Sequence, residues 1–418
     1  MVTEGGTIGS AATLDAIRVF VALVAVAALA AIVVRRLKIP YTLTLVVLGL
    51  IAASVLPRGA FSVTPELVLL VLVPGLVFEA ALRIEFDELR RTFGGIALLA
   101  APGVIITAAI VALILNVATG LPPALGFVVG AMVAATDPVA VLAEFRHLGT
   151  PRRLATLVEG ESLFNDGTAL AVFVIAVQAV QTDVTWAEAV VSLAATVAAS
   201  LFLGLATGWL ASRVIASVDD HLIELTVSLA AAYGTYLLAD AVHWSGIVAT
   251  VVAGVVIGNY GRKLGMSPRT EEALDFTWEF MAYLLTAFAF LLVGASITVG
   301  ELVAALPWIA WGVIAILVGR AVVIYGLLGG VSRLPAFGGA GRISIGWLHV
   351  LFWAGLRGAV AVAMALSLPV DFPQRALLQQ ITFGIVLFTL FVQGSTAQRV
   401  VVAAKAVERP EPLVDPVL

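Results

Sequence analysis

The 418-residue sequence contains no cysteine and only four histidines. Without cysteine there is no disulfide framework, no thiolate chemistry and no cysteine-ligated metal. The histidines are scattered and lack zinc-site spacing; they are His147, His221, His243 and His349. A GxxxxGK[ST] phosphate loop is also missing, so ATP is not expected to drive the protein. The absence of a TVGYG-type filter disfavours a potassium channel. We expect no cofactor, no enzymatic chemistry and no nucleic-acid partner.

Charged residues are also scarce, at 12% of the chain against about 25% in soluble domains. Apolar residues make up 61%, and the mean hydropathy is +1.10. Apolar stretches of about 20 residues, long enough to cross a bilayer, recur along the whole chain. The first ten residues lack the basic region of a signal peptide, which favours a retained first span. The composition predicts an all-α polytopic membrane protein.

Thirteen candidate spans follow from the apolar pattern. They are predicted at 13–34, 40–56, 64–82, 93–117, 122–144, 156–180, 187–213, 221–242, 246–260, 272–297, 302–329, 342–368 and 375–402. The predicted domains are a short external amino terminus (1–12), a transmembrane domain (13–402) and a short cytoplasmic tail (403–418).

The basic residues favour one orientation of these spans. Eighteen of the 23 Lys and Arg residues fall in loops after odd-numbered spans, and three fall on the opposite side. The amino terminus is therefore predicted outside and the carboxy terminus in the cytoplasm. Thirteen spans also permit inverted six-span repeats (13–180 and 221–402) joined by a connector at 187–213. The fifth and twelfth spans are interrupted at matching depth, by Thr136-Asp137-Pro138 and by Gly355-Leu-Arg357-Gly358.

One stretch, Leu157–Phe173, concentrates carboxylates inside an apolar run. Acidic side chains in a membrane helix cost about 2.5–3.5 kcal/mol each on insertion scales, so they indicate function. A helix here places Ser162 and Asp166 on one face, with Glu161 and Asn165 as the neighbouring pair. Glu159 lies one turn closer to the cytoplasm and is predicted at the mouth of a funnel.

The interruption at Asp137 offers oxygen ligands to this stretch. Pro138 lacks an N–H and biases Asp137 away from helical geometry, which exposes the Thr136 carbonyl. Oxygens of Thr136, Ser162 and Asp166, with Glu161 as a possible addition, form a cage suited to a hard cation such as Na⁺. The alternative is a proline kink in which Asp137 only caps a helix.

Two arginines inside spans predict ion pairs, because a buried guanidinium needs a partner. Arg357 is assigned to Glu161, with the Asn165 amide as a bridge; the alternative is that Arg357 caps carbonyls of its own broken helix. Arg320 is assigned to Glu79 at a similar depth. That pair is interpreted as structural, with a role in the cation path as the alternative.

Together these motifs resemble the sodium/proton antiporters of the NhaP/NHE type, in the first cation/proton antiporter family. The resemblance rests on Glu159-Gly-Glu161-Ser162-Leu-Phe-Asn165-Asp166, on Thr136-Asp137-Pro138 and on Gly355-Leu-Arg357-Gly358-Ala, and it extends over all thirteen spans. It implies a fold with two crossed, broken helices, a mobile core domain and a dimerisation domain. The expected assembly is a homodimer in the inner (plasma) membrane of a prokaryote, in contact with lipid.

The resemblance also implies roles for residues. Asp166 would bind the cation or the proton, with Asp137, Ser162 and Thr136 beside the ion, and an Asn-Asp pair resembles the electroneutral, one-for-one branch. It further implies that Glu161, Arg357 and Asn165 are structural partners and that Glu79 and Arg320 form a second charged pair. Alternating access is expected, exchanging Na⁺ or Li⁺ for H⁺. The alternatives are a K⁺/H⁺ antiporter on the same fold and a gated cation channel or uniporter.

Overall fold

A computed structural model describes residues 21–32, 34, 41–55, 66–182, 185–333 and 343–406. Within these ranges the secondary structure is helical, and they contain no strand. The predicted amino terminus (1–12), the start of the first span and the end of the tail lie outside the described residues. The fold is therefore all-α in the part of the chain that carries the predicted site.

We number sixteen helices within the described ranges. They are α1 Val21–Ile32, α2 Tyr41–Val55, α3 Val73–Arg83 (preceded by a π-helical turn, Leu67–Leu72), α4 Phe86–Thr119, α5 Pro123–Ala134, α6 Val139–Leu148, α7 Arg152–Gln181, α8 Trp186–Ile215, α9 His221–Ala241, α10 Gly246–Gly265, α11 Pro268–Ala295, α12 Val299–Ala304, α13 Leu306–Val331, α14 Ile345–Trp353, α15 Ala359–Leu366 and α16 Arg375–Ala403.

Eight of the described helices are long and apolar enough to cross a membrane. Shorter apolar helices accompany them, among them α1, part of α2 and α5. A chain with this many membrane-length apolar helices is an integral membrane protein.

Helix boundaries follow local capping chemistry. The Ser245 hydroxyl accepts a hydrogen bond from the Val248 amide and starts α10, and Asp220 caps α9 in the same way. Gly120 and Gly149 end α4 and α6 with φ of 74° and 63°, the left-handed conformation that glycine adopts without strain. Short polar or glycine-containing segments thus separate long apolar helices.

Small residues bring α5 against α4. A Cβ added to Gly130 would lie 2.6 Å from the Ala108 Cα, and one added to Gly126 would lie 2.9 Å from the Ala112 Cα. In a bilayer the hydrophobic effect does not drive helices together, because lipid is as apolar as the helices. Close approach of this kind lets van der Waals attraction hold them together instead. The contact fixes α5 and the non-helical segment that follows it.

The helices pack in two groups. The first contains α2, α3, α8, α9, α10 and α11, and the second contains α4, α5, α7, α13, α15 and α16. Helix α8 buries only 11% of its most apolar window, so most of its surface faces outward. Contacts of α7 and α15 with the first group place the predicted site beside the boundary between the two groups.

Candidate functional site

Helix α7 is the scaffold of the candidate site. It runs without a break for 30 residues and presents Glu161, Ser162, Asn165 and Asp166 to the interior, all of them buried. Glu159, on the same helix, is half-buried. The helical spacing therefore brings the predicted polar residues of this stretch together on one inward surface.

The first interruption lies directly against α7. Helix α5 ends at Ala134 and α6 begins at Val139, so residues 135–138 are not helical. The Ser162 hydroxyl donates to the Thr136 carbonyl oxygen at 2.5 Å. The Asp137 Oδ1 accepts from the Val139 amide at 3.1 Å, so this carboxylate caps α6 as well as lining the cavity described below.

Asn165 does not bridge Glu161 and Arg357, and that prediction is wrong. Its Nδ2 donates to the Thr136 Oγ1 at 3.2 Å. The Asn165 amide therefore holds the same non-helical segment as Ser162, which lies one turn earlier on α7. Thr136, itself buried, is fixed through both its backbone oxygen and its side chain.

The second interruption lies against the first. Helix α14 ends at Trp353 and α15 begins at Ala359. The Asp137 amide donates to the Leu356 carbonyl at 2.9 Å, which joins the two non-helical segments by a backbone hydrogen bond. Gly358 lies so close to the Asp137 carboxylate that a Cβ at this position would overlap it. The glycine is required here for close approach.

Arg357 donates to backbone carbonyls and forms no ion pair with Glu161. Its NH1 lies 2.5 Å from the Ala134 oxygen and 2.9 Å from the Ala135 oxygen, at the carboxyl end of α5. Those carbonyls lack intrahelical partners and carry the negative end of the helix dipole, which a guanidinium satisfies. The predicted pair is therefore wrong. The alternative was correct about carbonyl capping, but the capped helix is α5 and not the broken helix of Arg357 itself.

Glu161 is paired with Arg320 of α13. Both guanidinium NH groups reach the carboxylate, the second at 3.0 Å, and NH2 also donates to the Leu351 carbonyl at 2.7 Å. The two side chains are 2% and 6% exposed, so the pair is buried. This bidentate contact between guanidinium and carboxylate gives the charge-assisted hydrogen bonds that a buried ion pair needs.

The prediction that Glu79 pairs with Arg320 is also wrong. The Glu79 carboxylate lies 2.5 Å from the Arg83 guanidinium, one helical turn further along α3. Arg83 also approaches Glu279 of α11 at 3.7 Å. The shared depth of Glu79 and Arg320 did not decide the pairing, because the two residues belong to different helix groups.

A cavity of about 100 Å³ lies where these elements meet. Thr136, Asp137, Glu159, Ser162 and Asp166 line it together, as expected for one site. The Asp166 Oδ1 is buried and forms no hydrogen bond with any residue that the structure describes. An unpaired buried carboxylate oxygen costs free energy unless a proton or a cation satisfies it.

Apart from Glu159, which also lines the cavity, the charges around it leave one excess negative charge. Glu161 and Arg320 form an ion pair, and the Arg357 guanidinium interacts electrostatically with both Glu161 and Asp166. With both aspartates ionised, Asp137 and Asp166 outweigh Arg357 by one charge. A single monovalent cation or a single proton is therefore enough to neutralise this cluster.

The donor set suits a hard monovalent cation. Carboxylate, hydroxyl and carbonyl oxygens converge at the cavity, and hard cations take such ligands. Among the described residues no group of three or more His, Cys, Asp or Glu side chains has the arrangement of a metal site.

Two features of the site were missed in the sequence. Arg320 was recognised as buried but was given the wrong carboxylate. Thr286 and Phe290 of α11 also line the cavity, and no motif marks them. Gly355 is a possible signal for the position of Arg320, because a Cβ at residue 355 would lie 2.7 Å from the Arg320 Nε.

Membrane-length helices around a buried carboxylate cluster are typical of membrane transporters. The sequence model of the transmembrane sodium/hydrogen exchanger family matches residues 22–403. The chain belongs to this family.

Named relatives agree with this assignment. The chain is 38% identical over 367 residues to the low-affinity Na⁺/H⁺ antiporter NhaS1 of Synechocystis, covering 86% of this chain and 69% of the relative. It is 34% identical to the Na⁺/H⁺ antiporter NhaH of Halobacillus aidingensis, covering 88% and 93%. The sodium proton antiporter MjNhaP1 of Methanocaldococcus jannaschii shares the fold, with a TM-score of 0.75 at 19% identity, over 93% of this chain and 98% of that one.

Proposed function

We propose that the protein exchanges Na⁺, and also Li⁺, for H⁺ across a prokaryotic plasma membrane. The printed names of its relatives describe Na⁺/H⁺ antiporters, and the chain is similar to them over most of its length. The observation that carries the proposal is the Asp166 carboxylate: the residue lines the cavity, and its buried Oδ1 forms no hydrogen bond with a described residue.

Asp166 is proposed to bind either a proton or the cation, never both. Arg357 balances one of the two aspartates, and Glu161 is already paired with Arg320. One positive charge then completes neutralisation, whichever ion brings it. This supports an electroneutral exchange of one cation for one proton.

The proposed cation ligands are oxygens of Asp166, Asp137, Ser162 and Thr136. The Thr136 carbonyl accepts the Ser162 hydroxyl proton, which turns the Ser162 lone pairs away from its own hydrogen and leaves them free for a cation. A carbonyl oxygen has a second lone pair as well. Glu159, half-buried beside the cavity, is proposed to line its cytoplasmic funnel.

Exchange is proposed to occur by alternating access. Moving a charged, empty site through a low-dielectric region is unfavourable, so only the neutralised site crosses. The helix group containing the site would be the mobile core domain, and the other group the dimerisation domain of a homodimer.

The proposed topology has thirteen spans in inverted repeats, with the amino terminus outside and the carboxy terminus in the cytoplasm. The helix pairs α5–α6 and α14–α15 would be the two crossed, discontinuous spans. The backbone hydrogen bond between Asp137 and Leu356 supports this crossing. The finer domain boundaries are those predicted from the sequence, with lipid around the outer surface.

A vesicle assay tests the proposed function. Purified protein is reconstituted with an internal pH dye under a pH gradient, and K⁺ with valinomycin holds the voltage at zero. An exchanger of Na⁺ collapses the gradient only after Na⁺ or Li⁺ is added, whereas a channel or uniporter leaves the pH unchanged. Collapse before Na⁺ is added would identify K⁺ as the exchanged ion and overturn the assignment of Na⁺.

A further inference from the structure

The two walls of the cavity differ in chemistry. Helix α7 and the two non-helical segments supply the charged and polar groups described above. The second wall comes from α3 and α11 of the other helix group, where the lining residues Val73, Leu76, Val77, Ala80, Ala289 and Phe290 are all apolar. Thr286 of α11 is the one polar lining residue on that wall.

The Thr286 hydroxyl does not form a hydrogen bond with the backbone of its own helix. Threonines inside helices commonly donate to the carbonyl four residues earlier. Thr168 does so to the Phe164 oxygen at 3.0 Å, and Thr382 does so to the Leu378 oxygen at 2.9 Å. Thr286 forms no hydrogen bond with any described residue, although it is only 9% exposed, and it lines the cavity.

An enclosed hydroxyl without a protein partner is unfavourable unless something in the cavity binds it. Water can do so by a hydrogen bond to the hydroxyl, and a hard cation can do so by binding a lone pair of its oxygen. We propose that Thr286 supplies a further oxygen to the transported cation from the α11 side of the cavity, and thereby sets the apparent affinity for that cation. This inference rests on the proposed function.

The position of Thr286 gives it a role that the Asp166 wall cannot fill. It belongs to the other helix group, so it contacts the ion only while the two groups enclose the cavity in this arrangement. Loss of the hydroxyl should weaken capture of the cation and leave the neutralisation of Asp166 intact. The apparent KM should change and the maximal rate should not.

The test compares Thr286→Val with Thr286→Ser in reconstituted vesicles, measuring Na⁺-driven and Li⁺-driven proton flux over a range of cation concentrations. Valine keeps the shape and removes the oxygen, whereas serine keeps the oxygen. Thr286→Val should raise the KM for Na⁺ about threefold to tenfold, the change expected for one lost polar contact. The maximal rate should stay within about twofold, and serine should restore the KM.

Thr107→Val is the matched control. Thr107 is similarly buried on α4, also lacks a described hydrogen-bond partner, and packs against Gly319 away from the cavity. Its KM should equal that of the wild type. If Thr286→Val does not fold, Thr286→Ala against Thr286→Ser makes the same comparison.

An unchanged KM in the hydroxyl-free variants, or an equal rise in the serine variant, would overturn the role of Thr286. Neither result touches the proposed exchange itself. That proposal fails separately, if wild-type vesicles show no cation-driven proton flux at all.

Discussion

Glu161 and Arg320 form a buried ion pair next to the proposed ion site, and its energetics differ from those of a surface pair. Both side chains are buried, so each charge depends on the other, and the Arg320 charge depends also on the Leu351 carbonyl. Removing one member of such a pair leaves an uncompensated charge in a low-dielectric interior. The pair should therefore matter chiefly for stability.

We expect Glu161→Gln to destabilise the protein by about 3–5 kcal/mol, because the Arg320 charge stays buried without its carboxylate. Thermal unfolding in detergent measures this. Removing both charges, in Glu161→Gln with Arg320→Met, should recover much of the loss.

Glu85→Gln is the matched control for that prediction. Glu85 pairs with Arg152 at 3.0 Å, but its side chain is 61% exposed, so the change should cost less than about 1 kcal/mol. Equal unfolding temperatures for the two glutamine variants would contradict the assignment of Glu161 to a buried structural pair.

The sequence predicted which residues are buried and charged, but not which ones pair. Asp166, Asn165, Ser162 and Glu161 were placed together because a single helix fixes their spacing. The partner of Glu161 depends on how α7, α13 and the second interruption are rotated about one another. No pattern within one helix contains that information, so both predicted arginine pairings were wrong.

At the scale of helices, two non-helical segments hold each other where α5 and α14 end. The contacts are a backbone hydrogen bond, the close approach of Gly358 to Asp137 and the bonds from Arg357 to the Ala134 and Ala135 carbonyls. The hydrogen bonds satisfy backbone groups that would otherwise be orphaned in a buried position. These contacts therefore position Asp137 and Thr136 at the cavity.

Gly358→Ala tests these contacts. The added Cβ would overlap the Asp137 carboxylate, so either that carboxylate or the Asp137–Leu356 backbone contact has to move. We expect cation-driven proton flux to fall by at least about tenfold, since positioning errors near 1 Å cost factors of that order or more. The unfolding temperature should fall as well.

Gly234→Ala on α9 controls for the effect of adding a methyl group to a glycine. A Cβ there meets no atom within 4 Å, and alanine favours a helix over glycine by about 1 kcal/mol. This variant should be as active as the wild type and at least as stable. Wild-type flux in Gly358→Ala would show that the contacts between the two non-helical segments do not position the site.

The interruptions themselves could be predicted from the sequence. Asp137-Pro138 and the paired glycines around Arg357 mark chain that cannot continue as helix. What could not be predicted is that Arg357 caps α5, because that contact joins segments more than 200 residues apart.

For the whole molecule, the described helices form two groups with the cavity at their boundary. The carboxylates that line it belong to α7 and the segment between α5 and α6, whereas the lining from α3 and α11 is apolar except for Thr286. Composition and apolar periodicity predicted a polytopic helical membrane protein, and this is confirmed. The number of spans, the inverted repeats, the orientation of the termini and the dimer stay predictions.

The division into two groups also explains why Thr286 was missed. Its helix has no acidic motif near this position, and its importance depends on which surface of α11 faces the other group. Apolar periodicity in a membrane helix does not separate lipid-facing from cavity-facing positions, since both are apolar.

The central claim is that cation and proton compete for the Asp166 carboxylate. The most direct test is cation-driven proton flux in vesicles containing Asp166→Asn, with the protein first shown to elute and unfold like the wild type. Asparagine keeps the size of the side chain and removes the charge that either ion neutralises. We predict no Na⁺-driven or Li⁺-driven proton flux. Persistent flux at a rate comparable to that of the wild type would contradict the account.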